Sequence, residues 1–185
     1  MRKAKLSPST PIVFADGHAV YKELAKQYIT HDRGLFILAP SGVGKTHYVQ
    51  NQSTDARHWI DGDVLWAVTN ADPTDDEWNS DSDQVQEMNG RCDVITYQSK
   101  KLGFWIIGSS NRYLKPDALV LPPWETHVAY IKSREHGSYD GGAKVENLAG
   151  VQAHRAWIEH WQTEGVPVFE SVTEAVESLA TSITG

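Results

Sequence analysis

The stretch Leu35-Phe-Ile-Leu-Ala-Pro-Ser-Gly-Val-Gly-Lys-Thr46 restricts this chain more than any other. A short apolar run breaks into a turn with glycines at 42 and 44, then continues into sequence compatible with a helix. An apolar run of this length bounded by turn residues reads as a strand buried on both faces. The two glycines matter because a Cβ at either position would obstruct both the tight turn and the close approach of successive backbone N–H groups to an anion. The helix that follows directs its positive end at the same point. Lys45 adds a mobile charge there, and the Thr46 hydroxyl adds an oxygen suited to Mg2+. Ser41, Gly42, Val43, Gly44, Lys45 and Thr46 are therefore the expected anion-binding residues.

Length and charge narrow the rest. A chain of 185 residues supports one good core rather than two comfortable domains. The expected organisation is an N-terminal arm over 1–16 and a single domain over 17–185. No segment approaches the roughly 20 apolar residues of a membrane span, and Met1-Arg-Lys-Ala-Lys-Leu6 lacks an apolar signal core, so the expectation is a cytoplasmic protein without a membrane partner. The single Cys92 permits no internal disulfide and shows no zinc spacing with the eight histidines, which leaves it as a small buried hydrophobe. A formal charge of −7 counts against a general binder of nucleic-acid backbones. Much of that charge sits in residues 72–83, an aperiodic stretch with turn residues that reads as a solvated loop.

Along the chain, Gly17 to Tyr28 suggests a short amphipathic helix, and Thr46 to Gln52 continues the helix after the glycine turn. Arg57 to Asp63 reads as a second strand ending in two carboxylates, Asp61 and Asp63, on the rim where open α/β sheets gather ligands. If both lie in strand geometry they point to opposite sides. Val64 to Thr69 can begin a helix, and Asp83 to Leu102 carries one buried stripe through Val85, Met88, Cys92, Ile95, Ser99 and Leu102. Gly103 to Ser110 and Asp117 to Leu121 read as strands, followed by a helix from Trp124 to Glu135 and a glycine-rich segment, His136 to Ala143. A long helix over 145–164, a short strand over 166–169 and an amphipathic helix using Val172, Val176, Leu179 and Ile183 complete the chain. Strands alternating with helices imply an α/β fold of three layers around a parallel five-stranded sheet.

These pieces, in this order, resemble the nucleoside monophosphate kinase and shikimate kinase-like branch of P-loop kinases over roughly residues 33–183. The glycine turn is similar to a Walker A motif with Ala39 where the first glycine is commonest. The resemblance implies a P-loop kinase domain with a small lid over about 135–147 and an acceptor-binding region over about 63–91. It implies ATP and Mg2+ at residues 41–46, a phosphate contact from the lid-base Arg134, and a second from Arg155. Glu170 and Ser171 fall where the family wraps the adenine. The Asp61-Gly62-Asp63 ending is similar to that of gluconate and adenylylsulfate kinases, which act on hydroxyl groups. A hydroxyl acceptor gains from a carboxylate that takes its proton, the role expected of Asp63, while Asp61 joins Thr46 at the metal. A structural alternative for both carboxylates is capping of the next helix.

The third strand ends Ile107-Gly-Ser-Ser-Asn111 without a Walker B acid, which disfavours a mechanochemical ATPase. Ser109, Ser110 and Asn111 become candidates to face the acceptor, with a plain strand-end turn as the alternative, and Arg112 a candidate to bind an acceptor phosphate, with solvent exposure as the alternative. Trp66, Trp78 and Arg91 offer ring stacking and a bidentate grip on phosphate. The acceptor expected is a hydroxyl on a nucleotide or small metabolite. A sharper version is a kinase similar to small viral enzymes, acting in the host cytoplasm on 5-hydroxymethyl-deoxyuridine in DNA, for which base access needs flipping or a single strand. The alternatives are a nucleoside monophosphate kinase and a non-catalytic nucleotide-binding module. Both a monomer and a dimer fit the sequence.

Overall fold

The computed structural model describes residues 34–51, 59–68, 83–109, 111, 113–134 and 142–184. The arm over 1–16, the helix over 17–28, the acidic loop with Trp78, residues Ser110 and Arg112, and residues 135–141 of the expected lid lie outside these.

Five strands form one sheet: β1 (Leu35–Leu38), β2 (Trp59–Asp61), β3 (Trp105–Gly108), β4 (Ala118–Val120) and β5 (Val168–Phe169), all parallel, in the order β2-β3-β1-β4-β5. The helices are α1 (Lys45–Asn51), α2 (Gly62–Val68), α3 (Asp83–Lys101), α4 (Trp124–Arg134), α5 (Leu148–Glu159) and α6 (Val172–Thr184). Short 3-10 turns at Val145–Asn147 and His160–Glu164 flank α5, so the segment expected as one long helix is α-helical only in its middle.

Every residue of β1 is buried, and its side chains alternate between two cores. Phe36 and Leu38 meet Leu65 of α2, Ile95 of α3 and Ile158 of α5 on one face. Leu35 and Ile37 meet Val172 and Val176 of α6 on the other, with Tyr48 and Val49 of α1 packed alongside. Full burial stabilises each such side chain by about 1.5–3 kcal/mol, which is why this central strand is the most apolar segment of the sheet. At its start the Phe36 N–H donates to Asp117 Oδ2 (2.8 Å), which also takes Lys100 Nζ (2.5 Å). That end is pinned by charge.

Several strands are shorter than the sequence suggests, for identifiable reasons. The Gly103 and Phe104 amides bond back to Lys100 and Ser99, closing α3, so β3 begins only at Trp105. At the other end of β2, Gly62 and Asp63 open α2 instead of extending the strand. The two aspartates therefore do not alternate across a strand.

The strand order creates a crevice. The segment after β1 leads past β3 to β2, while the segment after β4 leads outward to β5. Neighbouring strands whose exits diverge leave a cleft at their carboxyl ends, the usual ligand position in open α/β sheets.

Candidate active site

The turn between β1 and α1 occupies that cleft. Ala39 continues the strand, its N–H bonded to the Gly108 carbonyl (2.8 Å), and it is buried in the core, so a methyl group is accommodated there. Gly42 and Gly44 have φ of 95° and 91°, in the left-handed region that favours glycine. The two differ in surroundings. A Cβ on Gly44 would meet nothing within 4 Å, whereas one on Gly42 would stand 2.9 Å from Ile131 Cγ1 and 3.3 Å from His127 Nε2. The loop thus lies directly on α4.

Lys45 is 6% exposed and donates from Nζ to the Pro40 carbonyl (3.0 Å), closing the turn on itself. Burial lowers its pKa, while Asp63 and then Asp61 pull it back up and Arg134 adds to the lowering. Asp61 is 9% exposed at the end of β2, and its Oδ1 accepts the Asp63 N–H (3.0 Å), capping the first turn of α2. The capping role foreseen for the pair falls to Asp61 alone, and its second oxygen is not used by that cap. Asp63 is exposed in the first turn of α2. Desolvation raises its carboxyl above the usual carboxylate range, Lys45 opposes this, and Asp61 reinforces it.

One cavity of about 540 Å³ joins Lys45 and Asp63, and Asp61 is not among its lining residues; residues 41–46 form its floor, with Asp63, Tyr130, Arg134, Glu170 and Ser171 around it. That volume is in the range of small-ligand pockets. The expected residues Ser41 to Thr46, Asp63 and Arg134 are thus brought together, and so are Glu170 and Ser171. Others are not. Trp66 and Arg91 are half-buried on α2 and α3 and do not line this cavity. Asn111 is 1% exposed, does not line this cavity, and its amide donates to Thr96 Oγ1 (2.8 Å) on α3, bracing the core. Ser109 is also buried, its carbonyl bonded to His154. Arg155 on α5 is half-buried, does not line the cavity, and leaves Nη1 buried without a hydrogen-bond partner. Cys92 is buried and free, its thiol pushed up to about 12 mainly by burial.

Two histidines missing from the sequence-based expectation brace the site from behind. His127 Nε2 lies 2.8 Å from the Ser41 carbonyl, and His154 Nε2 lies 2.8 Å from that of Ser109. A carbonyl only accepts, so each ring carries its proton on Nε2. The Ser41 hydroxyl in turn accepts the Ala143 N–H (3.0 Å), which holds the chain after the glycine-rich segment against the loop. Isolated histidines in helices give no sequence pattern, and only the packing of α4 and α5 exposes their role.

Among the described residues no helix is long and apolar enough to cross a membrane, and no group of three or more His, Cys, Asp or Glu side chains is arranged to hold a metal ion. Neither a protein-family model nor a curated protein sequence matches the chain.

Proposed function

We propose that the chain is a cytoplasmic P-loop phosphotransferase of the nucleoside monophosphate kinase-like type, which moves the γ-phosphate of ATP to a hydroxyl of a nucleotide or small metabolite. One observation carries the reading: Asp63 opens into the same cavity as Lys45, Thr46 and Arg134.

In this reading the backbone amides of residues 41–46 hold the phosphates, and Lys45 exchanges its bond to Pro40 for the outer phosphate oxygens. An anion there favours the charged ammonium that burial otherwise disfavours. Arg134 neutralises charge on the transferring group. The acceptor hydroxyl gives its proton to the Asp63 carboxylate, its oxygen bonds to the γ-phosphorus, and the bond to the ADP oxygen breaks. A carboxyl with a raised pKa is a stronger base than an ordinary aspartate.

Mg2+ fits these residues. It is usually held through one or two carboxylates together with substrate phosphates and water; Thr46 on the cavity wall would supply one oxygen, and Asp61, near enough to raise the Lys45 pKa and with one oxygen outside the helix cap, would supply the carboxylate. When bound, the ion neutralises charge on the phosphate oxygens.

The test is incubation with labelled ATP and a panel of nucleosides, nucleotides, sugars and DNA containing 5-hydroxymethyluracil. Label is expected on one hydroxyl acceptor and absent with Lys45→Ala. Label retained by no acceptor while ATP still binds would favour a nucleotide-binding module instead.

A further inference from the structure

We propose that His127 is a positioning residue: by donating to the Ser41 carbonyl it aims the Gly42 N–H into the cavity as a phosphate donor. The inference rests on the nucleotide reading above.

The argument is one of peptide geometry. No cis peptide occurs among the described residues, and in a trans peptide the carbonyl of one residue and the N–H of the next point in opposite directions. His127 is fully buried on α4 and draws the Ser41 carbonyl toward that helix at 2.8 Å. The Gly42 N–H must then point away from the His127 ring, and Gly42 lines the cavity on which the loop opens. The ring itself has little freedom. Trp124 packs edge-on to it with centroids 5.9 Å apart, and the loop rests against the same helix at Ile131. Nδ1 is buried without a partner, so the neutral ring bonded through Nε2 is the form that fits. Burial also lowers the His127 pKa, which keeps the ring neutral. A loop without this donor would keep its glycines but lose the constraint on one peptide plane.

Calorimetric titration of wild type, His127→Leu and His127→Gln with MgATP, inorganic pyrophosphate and adenosine tests the idea, with thermal unfolding as the check on folding. Leucine removes the donor at similar volume, whereas the glutamine amide reaches the position of Nε2. His127→Leu is expected to weaken MgATP and pyrophosphate by about tenfold or more, leaving adenosine unchanged, and His127→Gln to stay within about threefold of wild type. A folded His127→Leu that binds pyrophosphate as wild type does, or a folded His127→Gln as weak as His127→Leu, overturns the positioning role alone. A wild-type chain that binds neither MgATP nor pyrophosphate overturns the nucleotide reading, and this role with it. Should His127→Leu not fold, nitrogen NMR of the wild-type chain decides. The Nε2-protonated tautomer and a Gly42 amide shifted and protected by pyrophosphate are expected; the other tautomer or an unperturbed amide refutes it.

Discussion

Gly62 and Gly108 meet backbone to backbone: a Cβ on Gly62 would stand 2.4 Å from the Gly108 Cα and 3.0 Å from the Ile107 carbonyl oxygen. The glycine between the two aspartates is therefore required by the pairing of β2 with β3, which runs through Asp61 opposite Ile107. Gly62→Ala has to push the start of α2 off β3 and carry Asp63 with it. The expected cost is about 1–3 kcal/mol in urea unfolding, typical of overpacking against unyielding neighbours. Phosphate transfer should fall further than nucleotide binding, because Asp63 moves while residues 41–46 stay. Wild-type stability and rate in Gly62→Ala would show that this contact does not set the place of Asp63.

Much of this was legible in the sequence because the informative residues act locally. The β1 run, the positive-φ glycines and the carboxylates at the end of β2 each follow from chain geometry within a few residues. What was not legible depends on packing between distant segments. Asn111 looked available because it follows a strand end, yet its amide bonds to Thr96, fifteen positions away on α3. Asp61 and Asp63 would alternate only if the strand ran through both, and the helix that opens at Gly62, capped by Asp61, ends it first. His127 and Ser41 are eighty-six positions apart, and no periodicity links them.

Asp63→Asn should separate function from stability. The raised pKa of Asp63 means that the folded state disfavours its charge, so its contribution to stability is full below the unfolded value near 3.8 and is lost as pH rises through the folded value. At neutral pH a neutral asparagine removes that penalty, and Tm should rise. Transfer to the acceptor should fall by about a hundredfold or more, the usual worth of a positioned base, with ATP affinity kept or improved. In the wild type, kcat should decline on acidification at a pH above that of an ordinary aspartate. An Asp63→Asn variant with full kcat at neutral pH would remove Asp63 from the role of base.

His127, which is buried, and His154, which is half-buried, predict acid sensitivity of the opposite sign. Burial lowers the His154 pKa to about 4, against an ordinary value of 6.5, despite its bond to Ser109, with Lys45 and His127 adding repulsion; His127 is lowered by the same cause. The unfolded state thus binds protons that the folded state refuses. The contribution is intact above pH 6.5 and is lost as pH falls toward 4, by roughly 3 kcal/mol for His154. His154→Gln retains a donor for the Ser109 carbonyl and does not titrate, so its stability should vary less over that range. Chemical unfolding at intervals between pH 4 and 7 measures the slope, and equal slopes in wild type and variant would contradict the assignment.

The contact between Ser41 and Gly142 can be isolated by a double-mutant cycle. A Cβ on Gly142 would lie 2.4 Å from Ser41 Oγ, the atom that accepts the Ala143 N–H, and Gly142 also sits at a φ of 89°. Gly142→Ala therefore carries a backbone cost and a collision, while Ser41→Ala loses one hydrogen bond worth about 1 kcal/mol. In the double variant the hydroxyl is gone, so the collision is relieved and only the backbone cost remains. Destabilisation of the double variant should fall short of the sum of the singles by about 0.5 kcal/mol or more, the scale of coupling between residues in direct contact. Both single variants should also weaken MgATP binding, because each frees the chain around Ala143 from the loop that forms the cavity floor. Strict additivity in unfolding, with MgATP affinity unchanged, would mean that Ser41 and Gly142 do not hold one another in solution.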